Sequence, residues 1–189
     1  LVVYIDFETT GLSVVTDNIV EFGLLSHRCS AAFSTVVRPP TLPSPCAMVH
    51  GIEDAELEQG PLFDEVCSRC FAFLENLLNS RVVDFDSSDE ESPDFATRLG
   101  EDAELLLCGH NLLKFDAPFF LSECLRNNLP VASFERWFYV DTLAIFRAVP
   151  DMAGGCMKLQ CLRHNAPGHE GLSAHRALDA TGEGKYYIA

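Results

Sequence analysis

A chain of 189 residues that is 48% hydrophobic, with 12 glycines and 10 prolines, has the size and composition of one globular domain, neither fibrous nor disordered. The formal net charge of -15 argues against tight nonspecific binding to an anionic polymer, and no basic stripe is visible. No apolar run approaches the ~20 residues of a bilayer-spanning helix, so no membrane partner is expected.

Leu1 to Leu12, LVVYIDFETTGL, opens with an apolar, β-rich run that predicts a strand buried on both faces. Asp6 and Glu8 interrupt it two residues apart, which places both carboxylates on one face of an extended strand. Two acids held together at a strand end repel each other unless a cation lies between them, and hard oxygen donors suit Mg²⁺ or Mn²⁺. The alternative is an ordinary solvated turn built from Thr9, Thr10 and Gly11.

Asn18 to His27 and Ala31 to Arg38 read as two further strands joined by a short connection, so the chain begins β-β-β and suits antiparallel pairing. The prolines of Arg38 to Pro45 forbid helix or central strand there. His50, in AMVHGI, reads as a structural loop histidine beside Gly51, with a ligand or substrate contact as the alternative. Leu62 to Leu78 repeats apolar residues at three- and four-residue intervals, which predicts a long helix with one face on the sheet.

Nine acids between Asp84 and Glu104 stand against one base, Arg98, so this segment supplies more than half of the net charge. It reads as a mobile acidic insertion within a single domain spanning 1–189. Leu105 to Cys108 is a buried strand that leads into GHNLLKFDAPFF, where Asp116 opens a helix running to about Asn127. Asp116 also suits the positive end of that helix, beside Pro118 in the first turn. Phe138 to Asp141 reads as a fifth strand, with Asp141 capping a short helix to Val149, and Met157 to His164 as another helix.

Eight cysteines are present, and only Cys67 and Cys70 have CxxC spacing. They fall in the apolar stripe of the long helix and read as buried reduced thiols, with zinc or a redox pair as the alternative. The set points to a reducing, intracellular compartment, nuclear or cytoplasmic. The missing initiator methionine suggests a fragment of a longer chain.

Three motifs stand in order: D-x-E-T-T-G-L from Asp6, H-N-x-x-x-F-D from His110 to Asp116, and His175 followed by Arg-Ala-Leu. Together they resemble the DEDDh (DnaQ-like) 3′-5′ exonucleases, nearest to the three-prime repair exonucleases and polymerase proofreading subunits. The resemblance implies a ribonuclease-H-like fold, a mixed five-stranded sheet whose first three strands are antiparallel, with helices on both faces. It implies two-metal hydrolysis of single-stranded DNA or RNA from the 3′ end, releasing nucleoside monophosphates with two Mg²⁺ or Mn²⁺ ions. By that resemblance Asp6, Glu8 and Asp116 are metal ligands and His175 is the general base. Thr9, Thr10, Gly11 and Leu12 hold the terminal nucleotide, with Asn111 as a further contact.

The last motif departs from the family. The position of the fourth acid, five residues after His175, holds Ala180, and the nearest acid is Asp179, one residue early. On a helix a one-residue shift rotates a side chain by ~100°, so Asp179 fills the role only through a distorted backbone or a bridging water. Gly182 and Gly184 then fall where the family continues a helix. An active exonuclease leads; a weakened nucleic-acid-binding domain of the same fold, or an interaction module using the acidic insertion, are the alternatives.

Overall fold

The computed structural model describes residues 1–27, 31–42, 50–79, 105–131, 137–149, 155–164, 178–180 and 186–188. For the last two segments only the backbone is described. The acidic stretch from Asp84 to Glu104 and the catalytic candidate His175 lie outside the described residues.

In chain order the elements are β1 (Val2–Thr9), β2 (Ile19–Ser26), β3 (Ala32–Val36), α1 (Asp54–Gln59), α2 (Phe63–Asn79), β4 (Leu106–Gly109), α3 (Asp116–Arg126), β5 (Phe138–Asp141), α4 (Thr142–Ala148), α5 (Leu159–His164), β6 (Leu178–Ala180) and β7 (Tyr186–Ile188). Five strands form one sheet in the order β3-β2-β1-β4-β5. The first three pair antiparallel, while β4 and β5 join β1 in parallel. This is the mixed sheet expected from the motifs, with β1 at its centre.

β1 departs from its expected burial. Val3, Ile5 and Phe7 are buried, whereas Val2, Tyr4, Asp6 and Glu8 are half-buried. The apolar run conceals this alternation because Val2 and Tyr4 are themselves hydrophobic. The odd-numbered face carries the core, where Phe7 and Phe22 meet at 4.2 Å between ring centroids and Phe120 of α3 packs on Phe22 at 5.5 Å. From α2 the core takes Phe63, Val66, Cys67, Cys70 and Leu74, close to the periodicity read from sequence. Leu121 of α3 lies off this face and is 40% exposed.

Register slips once between β1 and β2. Glu8 stands opposite Glu21, but Thr9 stands opposite Ile19, which leaves Val20 as an extra residue in β2. Such a bulge bends the strand and changes its direction locally. Val20 joins Ile52 and Leu57 in a small second cluster, covered by α1, an element that the sequence did not predict.

The C-terminal segment also differs from expectation. Leu178–Ala180 pairs antiparallel with Tyr186–Ile188 as a separate two-stranded ladder, lying near β1 and β2, where a helix was expected. The two glycines of TGEGK disfavour a continuous helix, and Tyr186-Tyr187-Ile188 favours a strand. Cys67, Cys70, Cys108 and Cys124 are free and buried, as expected of reduced thiols. Cys156 and Cys161, by contrast, form a disulfide.

Candidate active site

β4 pairs with β1 only from Val2 to Tyr4, and it ends at Gly109. The edge of β1 that carries Asp6, Phe7 and Glu8 is therefore left unpaired by β4. The first turn of α3 occupies that edge, and the Phe7 N–H donates to Asp116 Oδ1 at 3.1 Å. The chain can turn this tightly out of β4 because Gly109 has no side chain. A Cβ there would come within 2.9 Å of the Ile5 carbonyl oxygen and 3.2 Å of Leu112.

Asp6 and Glu8 share one face of β1, as the period of two requires. Glu21 stands opposite Glu8 on the neighbouring strand. Burial, then the charges of Asp116, Glu8 and Glu21, push the Asp6 carboxyl well above the usual carboxylate range. Asp116 is pushed up to about 7, again chiefly by burial, with Glu8 and Asp141 adding to it. Its own amide and that of Phe7 act against this by hydrogen bonding. Carboxyl groups that raise one another in this way gain from a cation.

The donor chemistry is all oxygen, which fits an oxyphilic divalent ion of the Mg²⁺ or Mn²⁺ kind. Among the described residues, however, no three His, Cys, Asp or Glu side chains stand close enough to enclose an ion as placed. Asp179 and Ala180 occupy successive positions of β6, and neighbouring positions of a strand belong to opposite faces.

The candidate nucleotide-binding residues come directly after the acids on β1. Thr9 Oγ1 donates to the Gly11 carbonyl at 2.6 Å, and Thr10 Oγ1 donates to Asp17 Oδ1 at 3.3 Å while accepting the Asn18 N–H at 2.9 Å. Both hydroxyls are thus engaged in shaping the loop. Gly11 packs on the Asp17 carboxylate, which a Cβ would approach to 2.5 Å. Leu12, by contrast, is 85% exposed. Asn111 sits in the turn between β4 and α3 with φ 64°, a left-handed conformation that asparagine tolerates.

Asp141 is a cap, as the sequence predicts, since its Oδ1 accepts the Leu143 N–H at 3.0 Å. The same carboxylate accepts the Asn111 N–H at 2.9 Å and the Leu113 N–H at 3.2 Å. One acid therefore fixes both the start of α4 and the turn leading to Asp116. His110 completes this corner, with Nε2 2.7 Å from the Met157 carbonyl and Nδ1 3.0 Å from Thr142 Oγ1. His50 is structural, its Nδ1 accepting the Ile52 N–H at 3.1 Å.

Sequence reasoning missed Glu21. Its signal is an acid in the middle of the otherwise apolar run IVEFGLL, 1% exposed once folded.

The sheet order, the antiparallel opening and acids at the end of the central strand define a ribonuclease-H-like exonuclease fold. Residues 3–95 match the RNase_T family model, described as an exonuclease. The fold also matches a solved complex of E. coli Exonuclease I with a 5cy-dT13 oligonucleotide, at TM-score 0.56 and 17% identity over 78% of this chain and 29% of that one. A 3′-exonuclease solved in 3′-end-specific recognition of a histone mRNA stem-loop matches at TM-score 0.63 and 16% identity, over 93% of this chain and 57% of that one. A further Exonuclease I structure, solved in a study of processivity, matches at TM-score 0.63 and 17% identity, over 92% of this chain and 37% of that one. Identities this low establish the fold alone, and the chain spans at most 57% of the length of these three structures. No curated protein matches the chain.

Proposed function

We propose that this chain is a metal-dependent 3′-to-5′ exonuclease domain of the DEDDh type, acting on single-stranded DNA or RNA ends. The observation that carries the reading is the approach of Asp116 to the unpaired edge of β1 beside Asp6 and Glu8, at the point where the sheet changes from antiparallel to parallel pairing. Open α/β sheets place their ligands at such switch points.

In this reading Asp6, Glu8 and Asp116 would hold two Mg²⁺ or Mn²⁺ ions, which when bound offset the charge on the phosphate and on the attacking and leaving oxygens. The chain's own residues supply the rest. Leu12 lies exposed in the loop that follows the acids in sequence, where it would wedge against the terminal base, and Thr9, Thr10 and Gly11 shape the backbone that carries it. Asn111 contributes a further contact to the nucleotide. His175 takes the proton from the attacking water, a task suited to a group that titrates near neutrality.

A second reading is favoured by one observation. Ala180 stands where the family places its fourth acid, in a β6–β7 ladder and not in a helix. A domain that binds 3′ ends but cuts slowly results if neither Asp179 nor a water supplies the missing ligand.

The test is shortening of 3′-labelled and 5′-labelled single-stranded DNA and RNA with Mg²⁺, Mn²⁺ or EDTA, run beside Asp6→Ala and Ala180→Asp. Metal-dependent loss from the 3′ end, abolished in Asp6→Ala, supports the enzyme, and a faster Ala180→Asp marks that position as the vacant ligand. Undiminished cutting by Asp6→Ala sinks the assignment. Binding without cutting, restored by Ala180→Asp, supports the second reading.

A further inference from the structure

The cysteines among the described residues fall into two chemical groups. Cys67, Cys70, Cys108 and Cys124 are free and buried, out of reach of dissolved thiols. Cys156 and Cys161 are joined to each other, with Cys156 exposed and Cys161 half-buried.

The bridge spans a sequence separation of 5 and holds the two Cα atoms 5.9 Å apart, which closes a small ring around the start of α5. Inside the ring the Cys161 N–H donates to the Lys158 carbonyl at 2.9 Å. The ring also meets the corner that follows β4. Met157, directly after Cys156, offers its carbonyl to His110 Nε2 at 2.7 Å. A carbonyl can only accept, so this nitrogen carries a proton. His110 Nδ1 lies 3.0 Å from Thr142 Oγ1, which donates to the Gly109 carbonyl at 3.2 Å. His110 thus fastens the ring to the end of β4 and the start of α4.

Asn111 comes next, with φ 64°. A non-glycine residue persists in that conformation only where its surroundings hold it. The route from the bridge to this turn is short: one peptide bond from Cys156 to Met157, one hydrogen bond to His110 and one peptide bond to Asn111.

We infer that Cys156 and Cys161 are a thiol–disulfide exchange site for a low-molecular-weight thiol of the glutathione class, and that the state of the pair sets how firmly the turn at Asn111 is held. This goes beyond the exonuclease reading and does not depend on it. In the reaction a glutathione thiolate attacks the exposed Cys156 sulfur; a mixed disulfide forms, the Cys156–Cys161 bond breaks, and Cys161 leaves as a thiolate that takes up a proton. A second glutathione thiolate attacks the glutathione sulfur of that mixed disulfide, releasing glutathione disulfide, and Cys156 is protonated in turn. Two electrons and two protons pass from two thiols to the protein pair, and the reverse sequence restores the bridge.

With the bridge open, the Met157 carbonyl is no longer fixed by a closed ring, and His110 loses its rigid acceptor. The Asp141 carboxylate still holds the Asn111 and Leu113 N–H groups, so the turn loosens without unfolding. A short ring restricts the unfolded chain less than a long one, so the effect is local.

The test equilibrates the full chain with reduced glutathione or with glutathione disulfide and maps free thiols by alkylation of the native protein and mass spectrometry. Hydrogen exchange is followed in both states and in a Cys156→Ser, Cys161→Ser double variant. The oxidised chain should carry the bridge; the reduced chain should label at Cys156 and Cys161 while Cys67, Cys70 and Cys124 stay protected. Reduction should speed exchange around Asn111 and Leu113 roughly three- to tenfold and leave β1 and α2 unchanged, and the double variant should exchange at the reduced rate in either buffer. Equal exchange in the two states, or a pair that does not join in excess glutathione disulfide, overturns the inference. So does faster exchange spread evenly over β1 and α2, because a merely structural cross-link loosens the fold as a whole. No nucleic acid enters the readout, so a chain that neither binds nor cuts oligonucleotides sinks the exonuclease reading alone.

Discussion

Gly109 and Asp6 show how single residues set this site. The hydrogen atom that serves as the Gly109 side chain lets the chain pass within van der Waals distance of the Ile5 carbonyl and bring Asp116 back to β1. Gly109→Ala should therefore destabilise the fold by about 1–3 kcal/mol, since the nearest obstruction is backbone and cannot swing aside. Chemical denaturation measures this, and an unchanged midpoint would show that β4 can shift away. Asp6 was legible in the sequence because a pair of acids breaking an apolar run is a local signal. Glu21 was not, because a lone acid within a strand acquires its meaning only from what register places opposite it, here Glu8.

Among the elements, α3 and α4 do the most to shape the site. The Asp141 carboxylate accepts three backbone N–H groups, at Asn111, Leu113 and Leu143, so it joins a strand end, a turn and a helix start. Asp141→Ala leaves all three donors without this acceptor and should cost at least about 2 kcal/mol, beyond the usual effect of a lost cap. Asp141→Asn keeps one acceptor oxygen and should recover part of it. Equal midpoints for parent and Asp141→Ala in urea would show that water replaces the carboxylate. Helix boundaries for α2, α3 and α4 were legible from periodicity and capping, with errors of a residue or two. α1 escaped because six residues, DAELEQ, present a single buried position, Leu57, and no periodicity.

For the whole molecule, the raised carboxyl groups on β1 and α3 make stability depend on pH. Asp116 is held at about 7, above its ordinary 3.8, so between those values the folded chain retains a proton that the unfolded chain has released. Stability from this group is therefore greatest at low pH and falls as pH rises toward about 7. Asp6, raised for the same reasons, acts in the same direction. In EDTA the thermal midpoint should rise as the pH is lowered from about 8 to about 5, and Asp116→Asn should flatten that rise. Mg²⁺ or Mn²⁺ should stabilise the parent more at the higher pH, where the carboxylates are free to bind it. A midpoint indifferent to both metal and Asp116→Asn would remove these acids from any metal site.

The helical period of Leu62 to Leu78, the acid pair after Ile5 and the cap at Asp141 were all readable from the chain. Each is an effect of neighbours within a few residues, and such effects survive without a fold. The register slip at Val20, the opposition of Glu8 and Glu21 and the Phe7–Asp116 bond were not readable. Nor were the Arg126 bonds to the Val14 and Asp17 carbonyls, which join residues more than a hundred positions apart. These depend on which strand edge is left open and which helix end fills it, and packing over the whole sheet decides that. The same holds for the C-terminus: local glycine chemistry disfavoured a continuous helix, but the partner of Leu178–Ala180 was set by the antiparallel pairing with Tyr186–Ile188.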